Sequence, residues 1–337
     1  MGFLVNTLSI LVVILAILFT VFVNYPEPPL SPLLYQWQSS GHYFHFKGYQ
    51  VFYKDELSES AANDITVLSL HGFPTSSFDW YKILPDMRRN VRRFIAPDFL
   101  GFGLSDKPRF HSYSIVEQTD LIEELMMTLK VDTNVHILGH DYGDTVAQEL
   151  MARQIDGNLS FRIASVCLLN GGIFPTIHKP ILMQTLLRSP ILGTILSKLS
   201  NYYMFSMALS GVFGPNSQPS RDDLHDFWKL IRQKDGYRVM GDILSYIDDR
   251  RQHEDRWVGA LRTNQMPLHF IYGPSDPINR SPEFPNTYRK IIPNPSIDVL
   301  DDQIGHYPQL ESHKRVIQLY LNWLKSRQFI TQLVFNT

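Results

Sequence analysis

Short β-rich apolar runs alternate along most of the chain with segments of helical periodicity. The runs at 65–70, 93–96, 135–138, 164–169, 268–272 and 296–300 predict strands, each followed by a loop holding polar or glycine residues. The stretches between them predict helices, among them 144–155. Strands that alternate with helices predict an α/β fold with a mainly parallel sheet flanked by helices. Ahead of them 43–46 and 49–53, separated by Lys47-Gly48, predict an antiparallel hairpin leading into the sheet. The alternation stops across 174–262, which is helical in pattern, rich in Leu, Met, Tyr and Phe, and broken at Pro190, Gly211, Gly214-Pro215 and Pro219. Helices inserted between two strands form a lid over the strand ends, and these predict an apolar pocket roof. The pattern divides the chain into a transmembrane anchor at 1–24, a Pro-rich linker at 25–41, a core at 42–173 and 263–325, the lid at 174–262, and a tail at 326–337.

The anchor is expected because no charged residue occurs from Phe3 to Val23. As a helix this stretch spans about 31 Å, the thickness of a bilayer core. A cleaved signal peptide fits less well: no basic residue precedes the apolar run and no small-x-small pattern follows it. Tyr25-Pro26-Glu27-Pro28-Pro29 then makes a stiff exit. No Lys or Arg precedes Lys47, so the positive-inside rule has nothing to count. The lack of paired cysteines, and the sequon Asn279-Arg280-Ser281 beside the candidate active-site residue Asp276, favour a cytosolic catalytic domain. The sequon Asn158-Leu159-Ser160 raises no such conflict.

Composition narrows the function classes. A chain of 337 residues that is 44% hydrophobic buries one large core. A net charge of -2 and a pI near 6.6 give no signal for nucleic acid. Cys167, the single cysteine, lies in an apolar strand and reads as a buried, inert thiol. No metal motif or cofactor motif occurs, so neither a metal nor a cofactor is expected. Arg88, Arg89, Arg92 and Arg93 form a basic cluster, read as a solvated helix end or, beside an anchor, as a contact for anionic headgroups.

The chemistry gathers at predicted strand ends, where ligands bind in such sheets. Gly139-His140-Asp141-Tyr142-Gly143 joins the 135–138 strand to the following helix. Flanking glycines permit a tight turn that lifts the central side chain above the sheet. A carboxylate there is ionised at neutral pH and attacks a carbon directly, whereas a serine would first have to lose its proton. The enzyme ester so formed must be hydrolysed by water, the step that needs a histidine. His306, in Gln303-Ile304-Gly305-His306-Tyr307-Pro308, follows the last strand. Asp276, in Gly273-Pro274-Ser275-Asp276-Pro277, follows the 268–272 strand and orients the imidazole. Phe73, in His71-Gly72-Phe73-Pro74, and Tyr142 supply two backbone N–H groups for an oxyanion hole. Taken singly, each has a duller reading: Asp141 as a first-turn acid, Asp276 as a turn former, His306 as a loop residue. Four matches in chain order make coincidence improbable.

With His71-Gly72-Phe73-Pro74-Thr75-Ser76-Ser77 and Asp98-Phe99-Leu100-Gly101-Phe102-Gly103-Leu104-Ser105-Asp106-Lys107-Pro108, these residues resemble the α/β hydrolase superfamily, in its epoxide hydrolase and haloalkane dehalogenase branch. The resemblance covers about 42–325 and implies the α/β-hydrolase fold. A narrower resemblance, carried by 141–150, 170–175 and 306–311, is to a group of endoplasmic reticulum membrane proteins and implies that location. Epoxide hydrolases use lid tyrosines to protonate the epoxide oxygen, often in an Asn-Trp-Tyr-Arg-like segment. Here His253-Glu254-Asp255-Arg256-Trp257-Val258-Gly259 stands instead. The candidate lid contacts are therefore Tyr202, Tyr203, Tyr237, Tyr246 and Trp257. Tyr142 stands where dehalogenases commonly place a halide-holding Trp, which argues against dehalogenation. Asp144 stands where the family has a small residue. Either it lies near Asp141 and raises the pKa of the pair, or it points outward and caps the helix.

The resulting expectation is a membrane-anchored hydrolase with an Asp nucleophile, acting on an apolar small molecule or lipid-like epoxide. One alternative is a lipid acyl-ester hydrolase or acyltransferase, which suffers because Asp attack on an acyl carbon gives a labile anhydride. The other is a non-catalytic, membrane-tethered binding or scaffold protein that retains the fold.

Overall fold

The computed structural model describes residues 2–23, 29–59, 61 and 63–335. An eight-stranded sheet runs in the order β1-β2-β4-β3-β5-β6-β7-β8. Its strands are β1 (His42–Phe46), β2 (Tyr49–Leu57), β3 (Thr66–Leu70), β4 (Arg93–Pro97), β5 (Val135–His140), β6 (Ile163–Leu169), β7 (Leu268–Tyr272) and β8 (Ile297–Val299). β2 pairs antiparallel with β1 and β4, and the other pairs are parallel. Each strand expected from the sequence is present, with β7 as expected and other ends shifted by at most two residues, except that β2 runs four residues further, to Leu57.

Helices cover both faces because both faces are apolar. Val166 and Leu168 face one core and Cys167 and Leu169 the other, and Phe270, Ile271 and Tyr272 alternate likewise. Full burial of such a side chain is worth roughly 1.5–3 kcal/mol. α1 (Gly2–Val23) and α2 (Pro32–Ser39) precede the sheet; α3 (Leu84–Asn90), α4 (Ile115–Thr128) and α5 (Tyr142–Ile155) connect its first half. The insertion between β6 and β7 holds α6 (Leu182–Leu187), α7 (Pro190–Leu199), α8 (Tyr202–Ser210), α9 (Arg221–Arg232), α10 (Met240–Ile243), α11 (Tyr246–Gln252) and α12 (Glu254–Thr263). α13 (Glu283–Ile291), α14 (Pro308–Glu311) and α15 (His313–Ser326) complete the chain. Local chemistry marks several starts: the Ser114 hydroxyl accepts from the Glu117 N–H at α4, and Ser220 and Asp223 form a reciprocal cap at α9.

α5 is the centre of the molecule, with Tyr142 to Ala152 all buried. α12 packs along it, where the Trp257 indole donates to Glu149 Oε2 at 2.7 Å. The arginine cluster is engaged with the protein itself: Arg88 pairs with Glu56, Arg89 with Asp86 and Arg93 with Asp55, while Arg92 donates to the Ser58 carbonyl. Headgroup binding would have to compete with these partners.

The expected anchor is helical from Gly2 to Val23. Among the described residues no helix is long and apolar enough to cross a membrane. The Pro-rich stretch at 25–28 lies outside the described residues.

Candidate active site

The turn between β5 and α5 puts Asp141 in an uncommon backbone conformation, φ 46° and ψ -101°. Its N–H donates to the Leu169 carbonyl at 3.2 Å, and the Gly143 N–H donates to the His71 carbonyl at 3.0 Å. Glycine at 143 is a packing requirement: a Cβ there would stand 2.2 Å from the Leu70 carbonyl oxygen. Strand β3 therefore lies directly against the start of α5. The loop leaving β3 then delivers the Phe73 N–H to Asp141 Oδ2 at 3.2 Å. Tyr142 opens α5, so its N–H has no acceptor in a preceding helical turn.

His306 and Asp276 converge from the other side. His306 Nδ1 donates to Asp276 Oδ2 at 2.9 Å, and His306 Nε2 lies 3.9 Å from Asp141 Oδ2. Asp276 is held by four donors in all: His306, the Asn170 and Asn279 amides at 3.0 Å each on Oδ2, and the Ile278 N–H at 2.7 Å on Oδ1. Asn170 directly follows β6, and its amide also exchanges two bonds with Gly273, its Oδ1 accepting from the Gly273 N–H and its Nδ2 donating to the Gly273 carbonyl. Behind the imidazole, His140 Nε2 donates to the His306 carbonyl at 2.8 Å. The structure thus brings Asp141, Asp276, His306, Phe73 and Tyr142 to one place.

The charges there are arranged by burial and by one another. Burial pushes Asp141 up, but the His306 imidazolium and then the Arg250 guanidinium outweigh it and hold the carboxyl well below the usual range. Burial pulls the His306 imidazole down, but the Asp276 charge and contacts with both carboxylates raise it to about 10. Asp276 is lowered despite its burial, chiefly by His306. Asp144 matches neither expectation. It is fully buried, pressed between Gly139 and Gly171, and burial followed by the Asp141 charge pushes its carboxyl well above the ordinary range. Burial and the Asp141 charge thus both favour its protonated form.

The lid residues part company. Tyr246 is fully buried over the Arg250 guanidinium, 4.5 Å from ring centroid to Cζ, and its hydroxyl has no hydrogen-bond partner among the described residues but the Arg250 side chain. Tyr202 stacks on His225 and Tyr203 is 70% exposed, so neither joins the site. Trp257 belongs to the α5–α12 contact, where its indole is held by Glu149. Tyr237 lines the adjoining cavity of about 120 Å³, whose wall includes Phe73 and His306 and is otherwise mainly apolar lid side chains such as Met183, Leu187 and Met204. Arg250, Asn170 and Asn279 are site residues to which the sequence alone assigns no role. Asn279, the sequon residue, is 1% exposed with its amide spent on Asp276 and the Asn170 carbonyl.

The chain belongs to the alpha/beta hydrolase fold family, whose pattern it matches over residues 65–313. Within that family it is 48% identical to the mesoderm-specific transcript homolog protein of Bos taurus over 313 residues, 92% of this chain and 93% of that protein. Its fold is shared by a haloalkane dehalogenase loop variant from Bradyrhizobium elkanii, with a TM-score of 0.71 at 21% identity, covering 85% of this chain and 96% of that one. An epoxide hydrolase solved without ligand gives a TM-score of 0.67 at 21% identity, with 85% and 98% covered.

Proposed function

We propose that this protein is a membrane-anchored hydrolase that opens an apolar, lipid-like epoxide through a covalent ester on Asp141. The observation that carries the reading is Asp141 itself: an ionised carboxylate on a strained turn, with one oxygen on the Phe73 N–H and the other free of His306. A lone pair of Oδ1 attacks a ring carbon, the ring C–O bond breaks, and its electron pair leaves with the oxygen. We take the Tyr246 hydroxyl as the lid group that donates a hydrogen bond to that oxygen. Ester formation removes the Asp141 charge, which is one of the causes holding His306 near 10. The weakened imidazolium gives up its Nε2 proton to solvent and becomes a base when the ester is there to be hydrolysed. It takes a proton from water, the hydroxide attacks the Asp141 carbonyl, and the Phe73 and Tyr142 N–H groups hold the oxyanion. The Asp276 carboxylate, fixed by four donors, keeps the imidazole in the required tautomer. The apolar cavity beside His306 accommodates the substrate's hydrocarbon.

The test is intact mass of the His306→Gln protein, full length in detergent, incubated with lipid epoxides, with Asp141→Asn alongside. Attack needs no base and hydrolysis does, so an adduct should accumulate and map to Asp141. A folded His306→Gln protein that gains no mass from any epoxide, or gains it elsewhere, refutes the nucleophile.

Membrane attachment belongs to the same reading. Leu8, Ile10, Leu11 and their neighbours in α1 are exposed, with none of this apolar surface buried against the hydrolase body. We place the protein in the endoplasmic reticulum membrane with the hydrolase body in the cytosol. The protein should resist alkaline extraction from microsomes and lose its body to added protease. Release by alkali, or a protected body, refutes the respective half.

A further inference from the structure

Arg250 comes from α11 in the lid and is 1% exposed. Its Nη2 donates to the Asp141 carbonyl at 3.0 Å and stands 3.4 Å from Asp141 Oδ1, and its Nε donates to Thr145 Oγ1 at 2.7 Å. Its Nη1 and the buried His178 Nε2 have no hydrogen-bond partner among the described residues, and the buried Tyr246 hydroxyl has none but the Arg250 side chain, which acts on it against the effect of burial. These groups are neighbours: a Cβ added at Gly172 would stand 2.5 Å from Nη1 and 3.3 Å from the His178 ring, and the Tyr246 ring lies over the guanidinium. Buried polar atoms without partners are costly, and the Tyr246 and His178 rings both lie beside the guanidinium that reaches Asp141.

The charges around Asp141 say what should fill the gap. Asp141 and Asp276 are negative, His306 and Arg250 positive, while burial raises the Asp144 carboxyl and lowers His178 to about 3, disfavouring charge on both. The group is balanced. An ester on Asp141 removes one negative charge and leaves a buried guanidinium without its counter-charge, a state proteins strongly disfavour. The same step creates a new negative charge, because the electron pair of the broken C–O bond remains on the displaced oxygen.

We propose that Arg250 Nη1, with the Tyr246 hydroxyl and His178, forms a buried subsite for the oxyanion displaced when Asp141 attacks. The proposal rests on Asp141 as the nucleophile, and it assigns the leaving oxygen to the side of Asp141 away from the Phe73 N–H. Atoms and charge balance: Asp141 Oδ1 bonds to carbon, and the ring oxygen takes the electron pair and the place of the lost carboxylate charge beside Arg250. Attack of water on the Asp141 carbonyl releases the diol with the Oδ1 oxygen, leaves the water's oxygen in the regenerated carboxylate, and delivers the water's two protons, one to the displaced alkoxide and one to the released Oδ1.

A binding measurement separates this subsite from the nucleophile. Sodium formate is titrated calorimetrically into the full-length protein in detergent, at constant ionic strength held with sodium chloride. In the wild type the Asp141 carboxylate competes for Arg250, so Asp141→Asn should bind formate at least tenfold more tightly. Arg250→Gln in the Asp141→Asn background should abolish that gain, and Arg250→Lys, which keeps the charge and loses the fork, should retain part of it. Formate binding that Asp141→Asn does not strengthen, or that survives Arg250→Gln, overturns the subsite. Where the Gln variant does not fold, undiminished binding by the Lys variant overturns it equally. Adduct formation by His306→Gln decides the nucleophile independently, so the two failures are told apart.

Discussion

Asp276→Asn removes one charge and almost nothing else. The amide fits with its oxygen toward His306, Asn170 and Asn279, which leaves a single donor facing a donor at the Ile278 N–H. That mismatch costs about 1–3 kcal/mol at every pH. The lost charge acts on His306. At about 4 Å and an effective dielectric of about 20, carboxylate and imidazolium attract by about 4 kcal/mol, about three pKa units. His306 should fall from about 10 to near its ordinary value. In the wild type the folded state keeps a proton on His306 that the unfolded chain has released above about pH 6.5. This contribution to stability is complete below that pH and is lost as pH rises toward 10, at up to about 1.4 kcal/mol per pH unit. Lys107, buried and lowered to about 7, works in the opposite sense, because there the unfolded chain keeps the proton. Lys107 is common to both proteins, so the difference between variant and wild type isolates His306. Urea denaturation of both, followed by tryptophan fluorescence, should show the variant much the less stable near about pH 7 and the gap closing toward about pH 9.5. A gap that stays constant across that range would refute the placement of a protonated His306 against Asp276.

Asp144→Asn should keep the fold and, in the His306→Gln background, trap ester within about threefold of the unaltered rate, since burial and the Asp141 charge favour its protonated form; a loss in intact-mass trapping beyond about tenfold would mean it is ionised. Gly171→Ala should lower stability to urea by about 1–3 kcal/mol, because the added Cβ would stand 2.2 Å from Asp144 Oδ2. Tyr246→Phe should slow trapping of an epoxide by at least about tenfold, and Tyr203→Phe should leave it unchanged, both read by the time course of adduct mass. Trp257→Phe should cost about 1–2 kcal/mol in urea through the lost bond to Glu149 and leave trapping intact; impaired trapping would return Trp257 to the substrate pocket.

What the sequence makes legible follows from the range of the forces involved. The strands read well because both faces are apolar, and the turn at Asp141 reads well because glycine spacing is a local property. Arg250 does not read. It sits in Asp248-Asp249-Arg250-Arg251, where two adjacent arginines look alike, although Arg251 is largely exposed and Arg250 is buried. The one signal is that Arg250 lies four residues beyond Tyr246 on α11, hence on the face a buried tyrosine marks. Trp257, Tyr202 and Tyr203 stand out by lid composition alone, and composition carries no information on which face of a helix meets the pocket. Asn279 is visible only as a sequon, whereas its burial follows from β7 and β6 meeting in space. The N-terminal segment is the reverse case: its composition speaks for a membrane more strongly than the described part of α1 does.

The reciprocal amide bonds between Asn170 and Gly273 tie together the C-terminal ends of the neighbouring strands β6 and β7, the first of which the chain leaves for the lid. With those strand ends held to each other and, through Asn170, to Asp276, the insertion can be lengthened, shortened or replaced while the catalytic loops stay in register. Substrate preference and the Asp141–His306–Asp276 geometry can thus diverge on separate schedules. Arg250 is the exception that binds them, because it is the one guanidinium the exchangeable part sends to the carboxylate. A lid transplanted from another hydrolase should preserve the ester chemistry and change which displaced group the protein tolerates.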